Sequence, residues 1–211
     1  MESLFKKMKA HWAGSASFAV AVIAIAVASV VACTKEGVGN SKTALIIVDV
    51  QQFYFPGGAL PLVNPESASR NCKRLLEKFR SENGLIVHIG HNTSHEKAFH
   101  PDVAPLKGEK VIYKDDVSAF NGTELLKYLR DHGVERLVVC GMQTQMCVEG
   151  TVRAAHDLGF DCVLVEDACA TRDLTYGDRT VSAADVHSST LSALNQAYAT
   201  VVDTDTFLAK Y

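Results

Sequence analysis

Arg136-Leu-Val-Val-Cys-Gly-Met-Gln-Thr-Gln-Met-Cys-Val-Glu-Gly150 is the stretch that decides the fold. Residues 137–140 are a short apolar run closed by Gly141, the pattern of a buried strand. From Cys147 the spacing changes. Val148, Val152, Ala155 and Leu158 recur at helical intervals, and Gly159 ends the segment. Cys147 therefore stands where a strand gives way to a helix. Backbone N–H groups at a helix start are unpaired and lie at the positive end of the macrodipole. A thiol there is expected to have a lowered pKa, and the same N–H groups can receive a developing oxyanion. The spacing predicts a strand–turn–helix unit that carries a cysteine nucleophile.

The same alternation extends in both directions. Residues 44–48 form an apolar run ending in Asp49, and residues 51–58 are a loop punctuated by Pro56, Gly57 and Gly58. Cys72, Leu75, Leu76 and Phe79 mark an amphipathic helix over 65–80. A second strand is predicted over 85–89, then an irregular, histidine-rich segment over 91–106. A third strand over 110–113 ends at Lys114, and a helix over 123–130 is stopped by Gly133. Beyond the central unit come a strand over 162–165, a loop over 167–172, a long helix over 183–198 and a strand over 200–202. Strands that read as continuous apolar runs and alternate with helices specify an α/β domain. The expectation is a three-layer α-β-α domain around a mostly parallel six-stranded sheet. In such sheets ligands bind at the carboxyl ends of the strands. Asp49, Lys114 and Cys147 all fall there.

Composition narrows the function classes. The 211 residues suffice for one well-packed domain, and a net charge of −3 gives no basic footprint for nucleic acid. The six cysteines show neither a Cys-x-x-Cys pair nor zinc-ligand spacing. At the amino end Lys6, Lys7 and Lys9 precede an uncharged run from Trp12 to Cys33. That is the layout of a secretory signal over residues 1–32. The end of the run, Val30-Val31-Ala32-Cys33, resembles the lipobox of bacterial lipoproteins and implies cleavage before Cys33 and its lipidation. A retained membrane-spanning helix is the alternative. Either reading places the body outside the cytoplasm, held to the membrane by a lipid anchor or an uncleaved helix. Thr34 after Cys33 implies the periplasmic face of the outer membrane in a Gram-negative cell. Without such a signal the protein is cytoplasmic. Residues 33–42 are a tether, and 43–211 the folded domain.

Four blocks carry a resemblance to a known family: Ala-Leu-Ile-Ile-Val-Asp-Val-Gln around Asp49; Lys-Asp-Asp-Val-Ser-Ala-Phe-Asn-Gly-Thr from Lys114; the long block from Val138 through Cys147 to Gly159; and Val-Glu-Asp-Ala-Cys-Ala-Thr from Val165. In this order they resemble the isochorismatase-like cysteine hydrolases, which include the nicotinamidases. The resemblance implies a catalytic triad of Cys147, Asp49 and Lys114. It also implies a cis peptide between Met142 and Gln143, and an oxyanion hole from the N–H groups of Gln143 and Cys147. The activity implied is hydrolysis of a C–N bond in a small-molecule amide through a thioester. The alternatives are an isochorismatase-type vinyl ether hydrolase and an inactive hydrolase-fold binding protein. No cofactor is implied, and family members form dimers or tetramers.

Substrate-contacting candidates are Gln51, Phe53, Phe55, His91 and Phe120, in loops expected to flank the site. Tyr176 and His187 are candidates for contribution from a neighbouring subunit. By count His88, His91, His95 and His100 suggest a metal. The nicotinamidase branch, however, uses Asp-x-His plus a further histidine, and Glu96 is the sole acid between Asn83 and Pro101. No metal ligands are therefore assigned. His88 is expected to end a strand, with His91 at the site rim and the others facing solvent. Activity is expected to survive exhaustive chelation, measured as ammonia release before and after dialysis against a strong chelator; loss restored by a divalent ion overturns the assignment.

Overall fold

The computed structural model describes residues 42–94 and 96–211. The signal, the tether up to residue 41, Cys33 and His95 lie outside the described residues. Among the described residues no helix is long and apolar enough to cross a membrane.

Six parallel strands form the central sheet in the order β3-β2-β1-β4-β5-β8. They are β1 (Thr43–Val48), β2 (Leu85–His91), β3 (Lys110–Lys114), β4 (Arg136–Met142), β5 (Asp161–Ala170) and β8 (Thr200–Val202). A separate antiparallel hairpin is made by β6 (Leu174–Tyr176) and β7 (Arg179–Val181). The helices are α1 (Pro65–Ser81), α2 (Leu125–Asp131), α3 (Glu149–Asp157), α4 (Ala183–Ala197) and α5 (Thr204–Lys210).

Every residue of β1 is buried, which is why its sequence has no polar alternation. Leu45 and Ile47 point into a core shared with Leu75, Leu76 and Phe79 of α1 and Phe207 of α5. Ala44, Ile46 and Val48 point the other way, to Leu125 and Leu129 of α2, Val152 of α3 and Leu191 of α4. The two faces of one strand thus seed two cores, and the result is the three-layer α-β-α arrangement.

Several details depart from the sequence reading. His88 is fully buried within β2 rather than at its end, with Nε2 2.8 Å from Glu109 Oε2. Its imidazole satisfies a carboxylate that also takes Arg80, and burial pushes its pKa down. His100 is half-buried and stacks on Phe55 with ring centroids 3.9 Å apart. Residues 167–170 belong to β5 instead of a loop: after Leu164 pairs with Val139, the register shifts and Cys169 pairs with Gly141. The hairpin and α5 escaped the sequence reading. Asp203 caps α5 by accepting from the Thr206 N–H at 2.7 Å.

Reversal of strand order between β1 and β4 leaves a crevice at their carboxyl ends, the usual ligand position in open α/β sheets. Gly141 lets the two strands close there. Its φ is +129°, and a Cβ built on it falls 2.0 Å from Val48 O. Gly159 also has positive φ, at +84°, but its Cβ meets nothing within 4 Å. Gly159→Ala is therefore expected to cost only the backbone term, about 1 kcal/mol. Gly141→Ala must push two core strands apart and is expected to cost several times as much, about 4 kcal/mol or more. Thermal melting of both variants checks this ranking; equal melting temperatures refute it.

Candidate active site

Asp49, the first residue after β1, has φ +51° and is fully buried. Its N–H donates to Ile89 O at 2.9 Å, which keeps the carboxylate beside β2. Lys114 ends β3, two strands from β1, and its register partner on β2 is His91. Adjacent strands lie about 4.8 Å apart, so a group on β3 must reach about 10 Å to meet β1. A lysine side chain spans such a gap. Its Nζ lies 2.8 Å from Asp49 Oδ2, with both side chains out of contact with water.

Cys147 arrives from β4. The Met142–Gln143 peptide bond is cis, and residues Thr144–Val148 form one π-helical turn that runs into α3. The N–H groups of Met146 and Val148 both donate to Gln143 O, at 3.0 and 3.2 Å, which ties the turn to the residue after the cis bond. Cys147 Sγ accepts from Lys114 Nζ at 3.1 Å. The structure brings Asp49, Lys114 and Cys147 together from three strands.

The ammonium also meets His91 Nδ1 at 2.9 Å and Asp116 O at 3.1 Å. Three donors serve four acceptors, so at least one is shared. Burial and Lys114 together push the His91 pKa down. Its neutral ring accepts at Nδ1 and keeps its proton on Nε2. Asp49, His91 and Cys147 offer donor atoms within 4.8 Å of one another, a geometry compatible with a metal ion. Lys114 Nζ already touches all three. The donor set holds an ammonium, and a metal there would have to displace it.

Charge balance sets the resting protonation state. Burial raises the Asp49 pKa, and Lys114 opposes the rise. Burial and the Asp49 carboxylate push the Cys147 thiol up to about 12, with Lys114 again pulling down. One cation stabilises one anion, and the carboxylate wins because its pKa starts far below that of a thiol. The low-pKa thiolate expected from a helix start is thus corrected: the resting cysteine is a neutral thiol. Desolvation and a neighbouring negative charge outweigh the helix end, and Cys147 lies on the fourth residue of the π-helical turn rather than at its cap.

The remaining candidates separate. Gln51 is fully buried, donating from Nε2 to Lys97 O at 3.0 Å and His91 O at 3.3 Å. Its Oε1 accepts from the His91 N–H at 2.8 Å. With its amide so committed, Gln51 clasps the 91–97 segment to β1 and positions His91. Phe53 and Phe55 are buried in the α1-side core. Phe120 stacks on Phe160, ring centroids 6.0 Å apart, on the other side. All three make packing contacts. His187 on α4 lies 2.9 Å from Thr144 Oγ1, so it braces the turn that carries Cys147 within the same chain. Tyr176, on the hairpin, is 87% exposed. The sequence reading passed over Tyr54, whose hydroxyl accepts from Gln143 Nε2 at 3.4 Å. Nothing in its aromatic loop marked it.

The Isochorismatase domain family model matches residues 43–206. The chain belongs to the isochorismatase-like hydrolase family. It is 43% identical over 177 residues to the isochorismatase family protein YddQ of Bacillus subtilis, covering 79% of this chain and 98% of that one. The crystal structure of an isochorismatase from Pseudomonas putida superposes with a TM-score of 0.75 at 36% identity, covering 78% of this chain and 89% of that chain. Nicotinamidase 3 of Arabidopsis thaliana is 27% identical over 183 residues, covering 79% of this chain and 87% of its own.

The charge argument has a direct test. Asp49→Asn removes a negative charge from beside the thiol and leaves Lys114. The Cys147 pKa should fall, giving about tenfold or more thiolate at neutral pH. Alkylation of Cys147 at pH 7.5, followed by peptide mass spectrometry, should therefore speed up in Asp49→Asn. In the wild type it should be slow and rise through pH 10. Slower labelling in the variant would show that Asp49 does not hold the thiol in its neutral form.

Proposed function

We propose that this hydrolase cleaves the C–N bond of a small amide through a thioester on Cys147. The observation that carries the reading is the Lys114 ammonium in contact with both Asp49 and Cys147 in a buried crevice. Asp49 takes the Cys147 proton as Sγ attacks the carbonyl carbon. Lys114 compensates the negative charge as it moves from carboxylate to sulfur to carbonyl oxygen. The N–H groups of Gln143 and Cys147 receive the tetrahedral oxyanion. As the C–N bond breaks, Asp49 returns its proton to the leaving nitrogen, and ammonia or an amine departs. Asp49 then deprotonates a water that attacks the thioester carbonyl; the acid leaves and Cys147 recovers its proton.

A neutral resting thiol suits this cycle. The nucleophile forms only when a substrate carbonyl is present, and a neutral thiol oxidises slowly because the thiolate is the reactive species. That matters for the placement in the cell envelope proposed from residues 1–33. The relative named as a nicotinamidase supports an amide over other C–X bonds, and the isochorismatase relative keeps vinyl ether hydrolysis as the second reading.

A screen of small primary amides for ammonia release decides between them. Cys147→Ala is expected to lose at least about 10³-fold in turnover, since a covalent nucleophile has no substitute. Amide turnover that survives Cys147→Ala, or vinyl ether cleavage with no amide turnover, overturns the proposal.

A further inference from the structure

Arg172 is a charged group that the hydrolytic scheme leaves unused. It follows Ala170 by two residues, and Ala170 pairs with Met142 in the sheet. The chain thus delivers Arg172 to the carboxyl edge beside the nucleophile turn. The backbone that carries it is fixed on several sides. The Val63 N–H donates to Thr171 O at 2.8 Å. The Thr171 hydroxyl donates to Gln145 Oε1 at 2.5 Å, and Gln145 Nε2 donates to Gln143 Oε1 at 3.3 Å. On the far side Asp173 Oδ1 accepts from the Ala183 N–H at 2.7 Å, at the start of α4.

The guanidinium itself is tied to nothing. Among the described residues it has no hydrogen bond and no ion pair, and its Nε is buried without an acceptor. Arg172 is half-buried, so the rest of the group stays reachable. Its neighbours Gln143, Gln145, Thr171 and Asp173 all have hydrogen-bond partners. A buried donor left unsatisfied costs stability, so an arginine kept in this state calls for a reason beyond folding. Tyr54 connects it to the chemistry. Its hydroxyl accepts from Gln143 Nε2, and its ionisation feels Asp49, Cys147 and Arg172 together.

We propose that Arg172 binds a carboxylate of the substrate, so that the amide presented to Cys147 belongs to a molecule carrying an acid at its other end. The inference rests on the amide-hydrolase reading. A planar guanidinium matches a carboxylate through two parallel hydrogen bonds. One guanidinium balances one negative charge, and Lys114 is already balanced by Asp49, so a monoanionic carboxylate fits better than a phosphate. Monoamides of short dicarboxylic acids have this form.

The test compares short dicarboxylic monoamides with their methyl esters, matched in length, by ammonia release. The wild type should favour the free acid by tenfold or more in kcat/KM. Arg172→Gln should bring that ratio near one, mainly by raising KM for the acid about 10- to 100-fold. Arg172→Lys, which keeps the charge and loses the fork, should fall between. A second readout needs no turnover: succinate or glutarate should slow alkylation of Cys147 at pH 9 in the wild type and not in Arg172→Gln. Melting curves establish that the variants are folded; should the glutamine variant unfold, the lysine variant decides. A wild type that prefers the ester, with no protection by either dicarboxylate, overturns the inference and leaves amide hydrolysis standing. Protection that depends on Arg172 without turnover of any amide overturns amide hydrolysis and leaves the anion site standing.

Discussion

A lysine ammonium held out of water against an aspartate carboxylate, 2.8 Å away, organises this protein. Such a pair is a poor way to stabilise a fold. The desolvation of two ions roughly cancels their attraction, and apolar residues of the same volume often do as well or better. Breaking the pair by removing one partner is different, costing about 3–5 kcal/mol because a lone charge stays buried. Lys114 and Asp49 therefore depend on each other, and stability alone does not account for their joint presence. Their surroundings repay part of the cost. Lys114 has His91 Nδ1, Asp116 O and Cys147 Sγ as further acceptors.

The same pair dictates the state of the cysteine. A buried pocket with one cation tolerates one anion, and adding a second would leave a net charge with little solvent to screen it. Asp49 and Cys147 thus compete for a single negative charge, and the proton is free to pass between them. This is a more useful arrangement than a permanent thiolate, which would be desolvated at rest and would lose that disadvantage only on reaction. The scaffold's part is to hold the competitors at contact distance. Gly141, with Val48 O where its Cβ would be, lets β1 and β4 meet closely enough for that.

The layers, and the placing of Asp49, Lys114 and Cys147 on one edge of the sheet, were legible in the sequence because both are written in local patterns. Residues 44–48 and 137–140 are apolar without alternation, and a strand buried on both faces needs that. Asp49, Lys114 and Cys147 each end or follow such a run. What was not legible depends on contacts between segments distant in sequence. Gln51 looked like a loop residue free to meet a ligand, yet its partners lie 40 and 46 residues away. His88 looked like a strand end because its partner Glu109 is across a long loop. Residues 167–170 read as a loop because Glu166 and Asp167 interrupt the apolar run. The interruption is a register shift that turns Asp167 toward Asn71 and Thr204. The thiol's pKa was misjudged for a related reason: helix position is local, whereas burial beside a carboxylate from another strand is not.

These two kinds of information correspond to two kinds of function. Asp49, Lys114 and Cys147 sit at or just beyond strand ends, where the two cores on either side of the sheet resist displacement. The groups around them, Tyr54, Gln143, Gln145 and Thr171, form a chain of side-chain hydrogen bonds between loops. A loop can exchange residues without disturbing β1 or β4, so selectivity can change while the triad stays. Arg172 sits at the junction of the two systems, immediately after a strand and within the loop network. Its backbone is tied through Thr171 to Val63 and Gln145, and among the described residues its side chain has no hydrogen bond or ion pair. A cation with that combination of fixed base and open head is suited to reading charge on a molecule that enters the crevice.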